Sequence, residues 1–412
     1  MQRRTWQNLN NTDKGFQIKI PEIKVEKKCV NRVLQGHLWI FDNEIMSVEG
    51  SYADGDVVRV LTQQGRFIGK GYINGHSKIA VRLLSFSDEE INRDFLYRRI
   101  EEALKCRLSL GYKMNGSFRV VFSEGDLLPG LIVDKYADVL SIQILTLGME
   151  KWKDVIVKIL ADLFNPVTII ERSDVEVRKK EGLEPFKGIL WGKEKNKKVI
   201  TMDGLKFEID LMEGHKTGFY LDQQENRRAI EPYVKGGRVL DCFAYTGSFA
   251  LYALKYGARE VLALEDSGKV MEMLKTNIQI NGFEDMIKAE KGDAFQWLRD
   301  KYKSGEKYDC IMLDPPSFVK EKGARGGAVR GYKDVNLTAL KLLNDGGFLI
   351  TSSCSQNVSP DYFLDIIHDA AVDAGCLLQL MENRSQSNDH PILLSMPQTH
   401  YLKFVVVRKR GR

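Results

Sequence analysis

Nowhere in the 412 residues does an apolar run approach the roughly 18 positions that a helix needs to cross a membrane. The N-terminus, MQRRTWQNLNNTDKG, has arginines but no apolar stretch behind them, so no export signal is expected and the chain is expected in the cytoplasm, without a membrane partner. The six cysteines (Cys29, Cys106, Cys242, Cys310, Cys354, Cys376) include no CxxC pair, which argues against a zinc site and against a disulfide framework. Reduced thiols are expected. The six histidines show no metal-like spacing, so no metal is expected; among them His390, before Pro391, is the one to test. Disorder and collagen-like order are excluded by a composition of 43% apolar and 28% charged residues.

What is present divides into units, because a chain of this length outgrows one hydrophobic core. Residues 1–17 are polar and aperiodic and read as an extension without an assigned role. The formal charge is +5, and residues 1–86 hold 13 Lys and Arg against 8 Asp and Glu, so the basic excess is N-terminal. Such a balance suits a phosphate-binding face. In the same stretch, DVVRVLT, RFIGKGYI and KIAVRLLSF are separated by glycine turns, which predicts a small β-barrel or sandwich. A helix follows, with Ser87 or Asp88 as N-cap, an apolar stripe through Phe95, Ile100, Leu104 and Leu108, and an end at Gly111. Residues 118–185 alternate strands with one helix near 149–164, a compact α+β pattern, and KKVITMDG and LKFEIDLM form a hairpin around Asp203-Gly204. From about 234 strands and helices alternate regularly. That is the pattern of an α/β, doubly wound sheet, closed by an antiparallel edge hairpin where two late β runs lack a helix between them. The expected domains are 18–90, 91–200 and 201–412.

In such sheets a ligand lies beyond the carboxyl ends of the strands. The loop DCFAYTG, with Asp241, Phe243, Ala244, Tyr245, Thr246 and Gly247, follows the first strand of the alternating region. It has one glycine where a dinucleotide fingerprint needs several for close approach to a pyrophosphate, so a ligand without pyrophosphate is expected. Glu265 ends the second strand, 24 residues after Asp241, where a carboxylate can take ribose hydroxyls, and Asp293, followed by Ala294, can take an adenine edge. An adenosyl group without phosphates, held by acidic strand ends, describes S-adenosylmethionine.

The fourth strand ends in DPPSF, where Asp314 is followed by Pro315 and Pro316, a rigid turn able to hold a flat base. The fifth, GGFLITSSCS, ends in Cys354. Adjacent strands place Asp314 and Cys354 at one pocket. Carbon 5 of a pyrimidine is a poor nucleophile until a thiolate adds at carbon 6, so Cys354 is the candidate nucleophile and Asp314 the partner of the cytosine N3 and amino edge. A thiol near pKa 8.5 is only a few per cent ionised at neutral pH, so a cationic neighbour is expected to lower it.

The segments HLWIFDNEI (37–45), ERSDVEVRKKEGL (171–183), EGHKTGFYLDQQENR (213–227), LDCFAYTGSFA (240–250), LDPPSF (313–318), RGYKDVNLTAL (330–340), TSSCS (351–355) and DHPILLSMPQTHYLK (389–403) together resemble the bacterial large-subunit ribosomal RNA cytosine-C5 methyltransferases that carry an N-terminal PUA domain. The resemblance spans about residues 20–410. It implies an RNA-binding PUA barrel, a central α+β domain and a Rossmann-like methyltransferase domain using S-adenosyl-L-methionine. The substrate would be 23S ribosomal RNA, naked or in an assembly intermediate, and a homodimer is compatible with it. It also implies that Thr217, Phe219, Asp222 and Gln223 wall the donor site beside Asp314 and Pro315. The sister guanine methyltransferases share KTGFFLDQ-like and DPP motifs but lack a cysteine at that strand end, so Cys354 discriminates. Two departures stand out: the second-strand acid is Glu265 rather than aspartate, so Asp266 competes for the ribose, and residues 1–17 have no counterpart. The run VKEKGARGGAVRGYK (319–333) reads as a mobile substrate-binding loop. A guanine N-methyltransferase on the same scaffold and a non-enzymatic RNA-binding assembly factor are the alternatives.

Overall fold

A computed structural model describes residues 20–318 and 325–411, with the side chains of 325–328 left out. The expected extension at 1–17 and the first part of the glycine-rich run lie outside the described residues. The rest of that run is not a loop: a helix spans Arg325–Leu342, burying Tyr332, Val335, Ala339 and Leu340.

Six strands form the N-terminal sheet, with Trp39–Ile40 at one edge and Ile45–Glu49 at the other. Alternation buries Ile23, Val25, Val58 and Val60, and the helix Lys27–Leu34 adds Cys29 and Val33 to the same core. Gly71 is required here, because a Cβ on it would stand 2.0 Å from the Arg82 carbonyl oxygen of the neighbouring strand. The linker helix runs Arg93–Ser109, with Asn92 as its N-cap accepting from the Phe95 N–H at 3.0 Å. The expected caps, Ser87 and Asp88, lie five and four residues upstream, and Asp88 is engaged by Arg59 and Lys70 of the barrel, each at 2.8 Å. Phe95, Ile100 and Leu104 are buried as the stripe requires, whereas Leu108 is exposed.

The central sheet takes its five strands in sequence order, from Ser117–Phe122 to Phe186–Gly192. The hairpin Lys197–Met202 and Leu205–Asp210 turns at Asp203-Gly204, both at positive φ as a tight hairpin demands. Its Ile200, Met202, Phe207 and Ile209 share one core with Val239, Ala250 and Leu251, so the expected boundary at 200 falls inside a strand that belongs with the C-terminal unit.

That unit is a seven-stranded sheet: β1 (Arg238–Cys242), β2 (Glu260–Glu265), β3 (Ile287–Lys291), β4 (Tyr308–Leu313), β5 (Leu343–Ser353), β6 (Leu377–Arg384) and β7 (Lys403–Arg410). The order is β3-β2-β1-β4-β5-β7-β6, with β1 to β5 parallel and β7 antiparallel to both neighbours. The order reverses at β1, and there the carboxyl ends open into a crevice.

Between β6 and β7 the chain runs back over the other units. Ser395 Oγ donates to the Gly36 carbonyl at 2.8 Å and Met396 is buried in the barrel core. The Asp389 carboxylate accepts the Arg119 N–H at 2.8 Å, while Ser387 donates from backbone and hydroxyl to the Asp222 carbonyl at 2.8 and 2.9 Å. One connector thus fastens the N-terminal sheet, the central sheet and the C-terminal unit together.

Candidate active site

Beyond the ends of β1 to β5 lies a cleft of about 410 Å³. The β1 loop builds one wall under backbone strain: Phe243 and Tyr245 hold φ of 62° and 49°, a region non-glycine residues rarely enter. Gly247 follows at φ 83°, capping the helix Ser248–Lys255, with Leu274 Cδ1 only 2.3 Å from where a Cβ would sit. Phe243, Ala244 and Tyr245 face the cleft. Asp241, Thr246 and Gly247 do not line it; Asp241 is buried and accepts the Ala250 N–H at 2.9 Å, so its part is to fix the loop, and burial holds its carboxyl well above the usual range.

Glu265, ending β2, accepts the Tyr245 N–H at 2.9 Å and the Ser267 N–H at 3.0 Å, which turns its carboxylate toward the loop. Asp266 lines the same wall and is exposed. Asp293 caps the helix Ala294–Lys303 through Gln296 N–H at 2.9 Å and lines the cleft with Ala294 and Phe295.

Across the cleft stand the ends of β4 and β5. Asp314 and Pro315 follow β4, and Cys354 follows β5; all three line the cleft. Gln223 Nε2 donates to both Asp314 oxygens at 3.2 Å and to Ser352 Oγ at 3.3 Å. Burial pushes the Asp314 carboxyl up to about 6, assisted by the negative Asp222, while Lys216 and Gln223 oppose. Asp222 moves the other way. Burial would raise it, but Lys216, His390 and Tyr401 hold it well below the usual carboxylate range.

Cys354 departs from expectation. Burial pushes its thiol up, Lys216 pulls it back, Asp314 and Asp222 push further, and Lys403 pulls back last; the sum is upward. The cationic neighbours are present, yet they do not prevail.

The segment 213–227 contributes differently from the way the sequence suggests. Asp222 and Gln223 line the cleft, but Thr217 and Phe219 do not. Thr217 is buried, bonded to Asp134 and, at 2.9 Å, to Tyr136 Oη; Phe219 packs against Phe207 at 5.4 Å between ring centroids. Their neighbours Lys216 and Tyr220 face the cleft instead. Lys216 adopts φ 53°, which switches the side on which successive residues project, and sequence does not reveal that inversion. Its ammonium pairs with Asp222 and lies 4.5 Å from the Tyr220 ring centre. The sequence also gave no signal for His215, Arg227 or Phe318, all lining the cleft. His390 is buried against Asp389 at 2.8 Å, behind Asp222 rather than in the cleft.

The lining suits an adenosyl sulfonium. Phe243, Ala244, Leu264 and Phe295 offer apolar surface for a base, Glu265 and Asp293 lie at strand ends for hydroxyl and amino groups, and Tyr220 and Tyr245 present rings to a cation. Arg227 is 1% exposed, with Nε and Nη1 lacking a partner among the described residues, a buried guanidinium able to take an α-carboxylate.

Comparison with known proteins agrees. A PUA-like domain matches residues 23–86, and an S-adenosylmethionine-dependent methyltransferase domain matches residues 186–393. "Ribosomal RNA large subunit methyltransferase I" of Aeromonas hydrophila is 43% identical over 384 residues, 92% of this chain and 96% of the relative. The chain belongs to the ribosomal RNA large subunit methyltransferase I family. Members of the same name from Shewanella denitrificans and Tolumonas auensis are 43% and 41% identical, covering 90% and 94% of this chain and 95% and 98% of theirs. Among solved structures, a chain from Streptococcus mutans assigned as a SAM-dependent methyltransferase superposes with a TM-score of 0.80 at 19% identity, over 94% of this chain and 99% of that one, and shares the fold. As a member of this family the chain is an S-adenosylmethionine-dependent methyltransferase, with a PUA-like domain ahead of the methyltransferase sheet.

Proposed function

We propose that the chain forms 5-methylcytidine in 23S ribosomal RNA, in the cytoplasm, through a covalent bond between Cys354 Sγ and carbon 6 of the base. The observation that carries this reading is the meeting of Cys354 and Asp314 in one cleft, at the ends of neighbouring strands and opposite the acidic ends of β2 and β3. A guanine nitrogen needs no thiol; a cytosine carbon does.

Cys354 Sγ bonds to carbon 6 as a thiolate, and the electrons of the 5,6 double bond make carbon 5 nucleophilic. Asp314, held near pKa 6 by burial, keeps a protonated fraction that donates to N3 as negative charge develops there. When bound, S-adenosylmethionine supplies an electrophilic methyl group on its sulfonium. Carbon 5 would take that methyl as the donor leaves as a neutral thioether, and would then lose its proton to a base; the carbon–sulfur bond breaks and N3 returns its proton to Asp314, which restores the ring and the thiolate. Gln223 keeps Asp314 oriented throughout, and Arg227, Glu265 and Asp293 hold the donor. The target base must leave its stack to reach Cys354, at a cost of a few kcal/mol, so naked RNA or an assembly intermediate is the better substrate than a finished ribosome. The barrel, with its basic excess, supplies phosphate contacts.

The test is incubation with RNA carrying 5-fluorocytidine. Carbon 5 then has no proton to lose, so protein and RNA should remain joined through Cys354, and Cys354→Ala should abolish both adduct and product. Full activity of Cys354→Ala with unchanged product would move the reading to guanine. Absence of donor binding in calorimetry at millimolar concentration would move it to a binding factor.

A further inference from the structure

The DHPILLSMPQTHYLK segment ends in a lysine that none of the roles above uses. Lys403 opens β7 opposite Ser353, the last residue of β5, and is 2% exposed. Its ammonium reaches across the turn that carries Cys354, donating to the Ser355 carbonyl at 2.6 Å and to the Tyr401 carbonyl at 2.8 Å. Among the described residues it has no carboxylate within ion-pairing distance. A buried cation left without an anion is costly, and natural cores rarely keep one unless it meets a negative charge at some stage.

The groups around it show which charge that is. Lys403 flanks Cys354 on two sides, through its strand pairing with Ser353 and its bond to Ser355. We propose that Lys403 is the buried counter-cation of Cys354, a positioning residue that pins the turn presenting the thiol and balances the thiolate once it forms. The inference rests on Cys354 acting as nucleophile. Burial draws the Lys403 ammonium down to about 8, and Cys354 is the group that acts to hold its proton on.

Six ionisable side chains bear on the thiol. Lys216 and Asp222 come from the 213–227 segment, Tyr220 lies between them, Asp314 ends β4, Tyr332 comes from the helix Arg325–Leu342, and Lys403 opens β7. Lys216 acts more strongly on Cys354 than Lys403 does, but it is paired to Asp222, which acts in the opposite sense. No carboxylate among the described residues pairs with the Lys403 ammonium, so its charge is not neutralised where it stands, although Asp314 and Asp222 oppose it at the sulfur. A substrate that displaces water from the cleft strengthens that field, since Coulomb terms grow as the local dielectric falls.

The experiment reads thiol ionisation rather than turnover. Iodoacetamide alkylation of Cys354 is followed by peptide mass spectrometry from pH 6 to 10 in the full chain, for wild type, Lys403→Met, Lys403→Gln and Lys403→Arg. Donor binding and thermal melting serve as folding controls. The neutral variants should alkylate at least tenfold more slowly at pH 8, with the ionisation displaced upward by a unit or more, and Lys403→Arg, which keeps its charge above pH 8, should alkylate at least as fast as wild type. A folded neutral variant with the wild-type profile overturns the proposal. If neither neutral variant folds, Lys403→Arg decides: an ionisation at or below the wild-type value supports the proposal, and an upward displacement overturns it. Failure of the nucleophile itself would look different, as full product formation by Cys354→Ala with the alkylation effect of Lys403 intact.

Discussion

Gln223 Nε2 stands 3.2 Å from each carboxylate oxygen of Asp314. The same amide lies 3.3 Å from Ser352 Oγ, so a single side chain ties the end of β4 to the end of β5, where the two proposed reacting groups begin. Gln223→Ala removes the donor that favours the ionised carboxylate and should move the Asp314 carboxyl above about 6. The basic limb of the pH–rate profile, on which Asp314 loses the proton it donates to N3, should shift upward with it, and kcat should fall about tenfold as Asp314 loses its orientation, equivalent to roughly 1.4 kcal/mol. Single-turnover methylation across pH 5 to 9 is the measurement.

Asp314→Asn should stabilise the fold while abolishing its service. A carboxyl whose folded pKa is raised favours the folded state at low pH and costs stability as pH rises through the folded value. Between the usual 3.8 and about 6 the difference amounts to up to about 3 kcal/mol. Urea unfolding at pH 8 should show the variant more stable than wild type, with the gap closing at pH 4.

Glu265 and Asp266 should separate cleanly in donor binding. Glu265 is oriented by two backbone N–H groups, whereas Asp266 is exposed and has no such anchoring. Charge-assisted hydrogen bonds contribute about 1.5–3 kcal/mol, so Glu265→Gln should raise the Kd for S-adenosylmethionine tenfold or more by calorimetry, on the order those bonds supply. Asp266→Asn should leave it close to wild type.

Thr217→Val should act on stability, not on the donor. Its hydroxyl bonds Asp134, which also holds Arg119 through two contacts of 2.7 Å in a buried pair. Losing one partner of a buried carboxylate costs about 1–3 kcal/mol. Chemical denaturation should register that loss with the Kd for the donor nearly unchanged; a large rise in Kd would return Thr217 to the wall of the cleft.

The alternation of strand and helix made the seven-stranded sheet and its edge hairpin legible, because periodicity is local. The placing of the strand-end residues was legible too: Asp314, Cys354, Glu265 and Asp293 all reach the cleft. What escaped depended on geometry no pattern carries. The left-handed Lys216 exchanges which residues of KTGFYLDQ face inward, and Lys403 reaches Cys354 only because β7 pairs with β5. The linker cap was misplaced because Asp88, a good cap by composition, is drawn to Arg59 and Lys70, and the helix of Arg325–Leu342 hides behind glycines that favour a loop.

The connector between β6 and β7 touches the barrel at Gly36, the central sheet at Arg119 and the cleft at Asp222. On the proposed reading the span from the N-terminal domain to the thiol would act as a ruler: RNA held at one end would present a fixed position to the other, and its register along the strand would be set by length before any base is inspected.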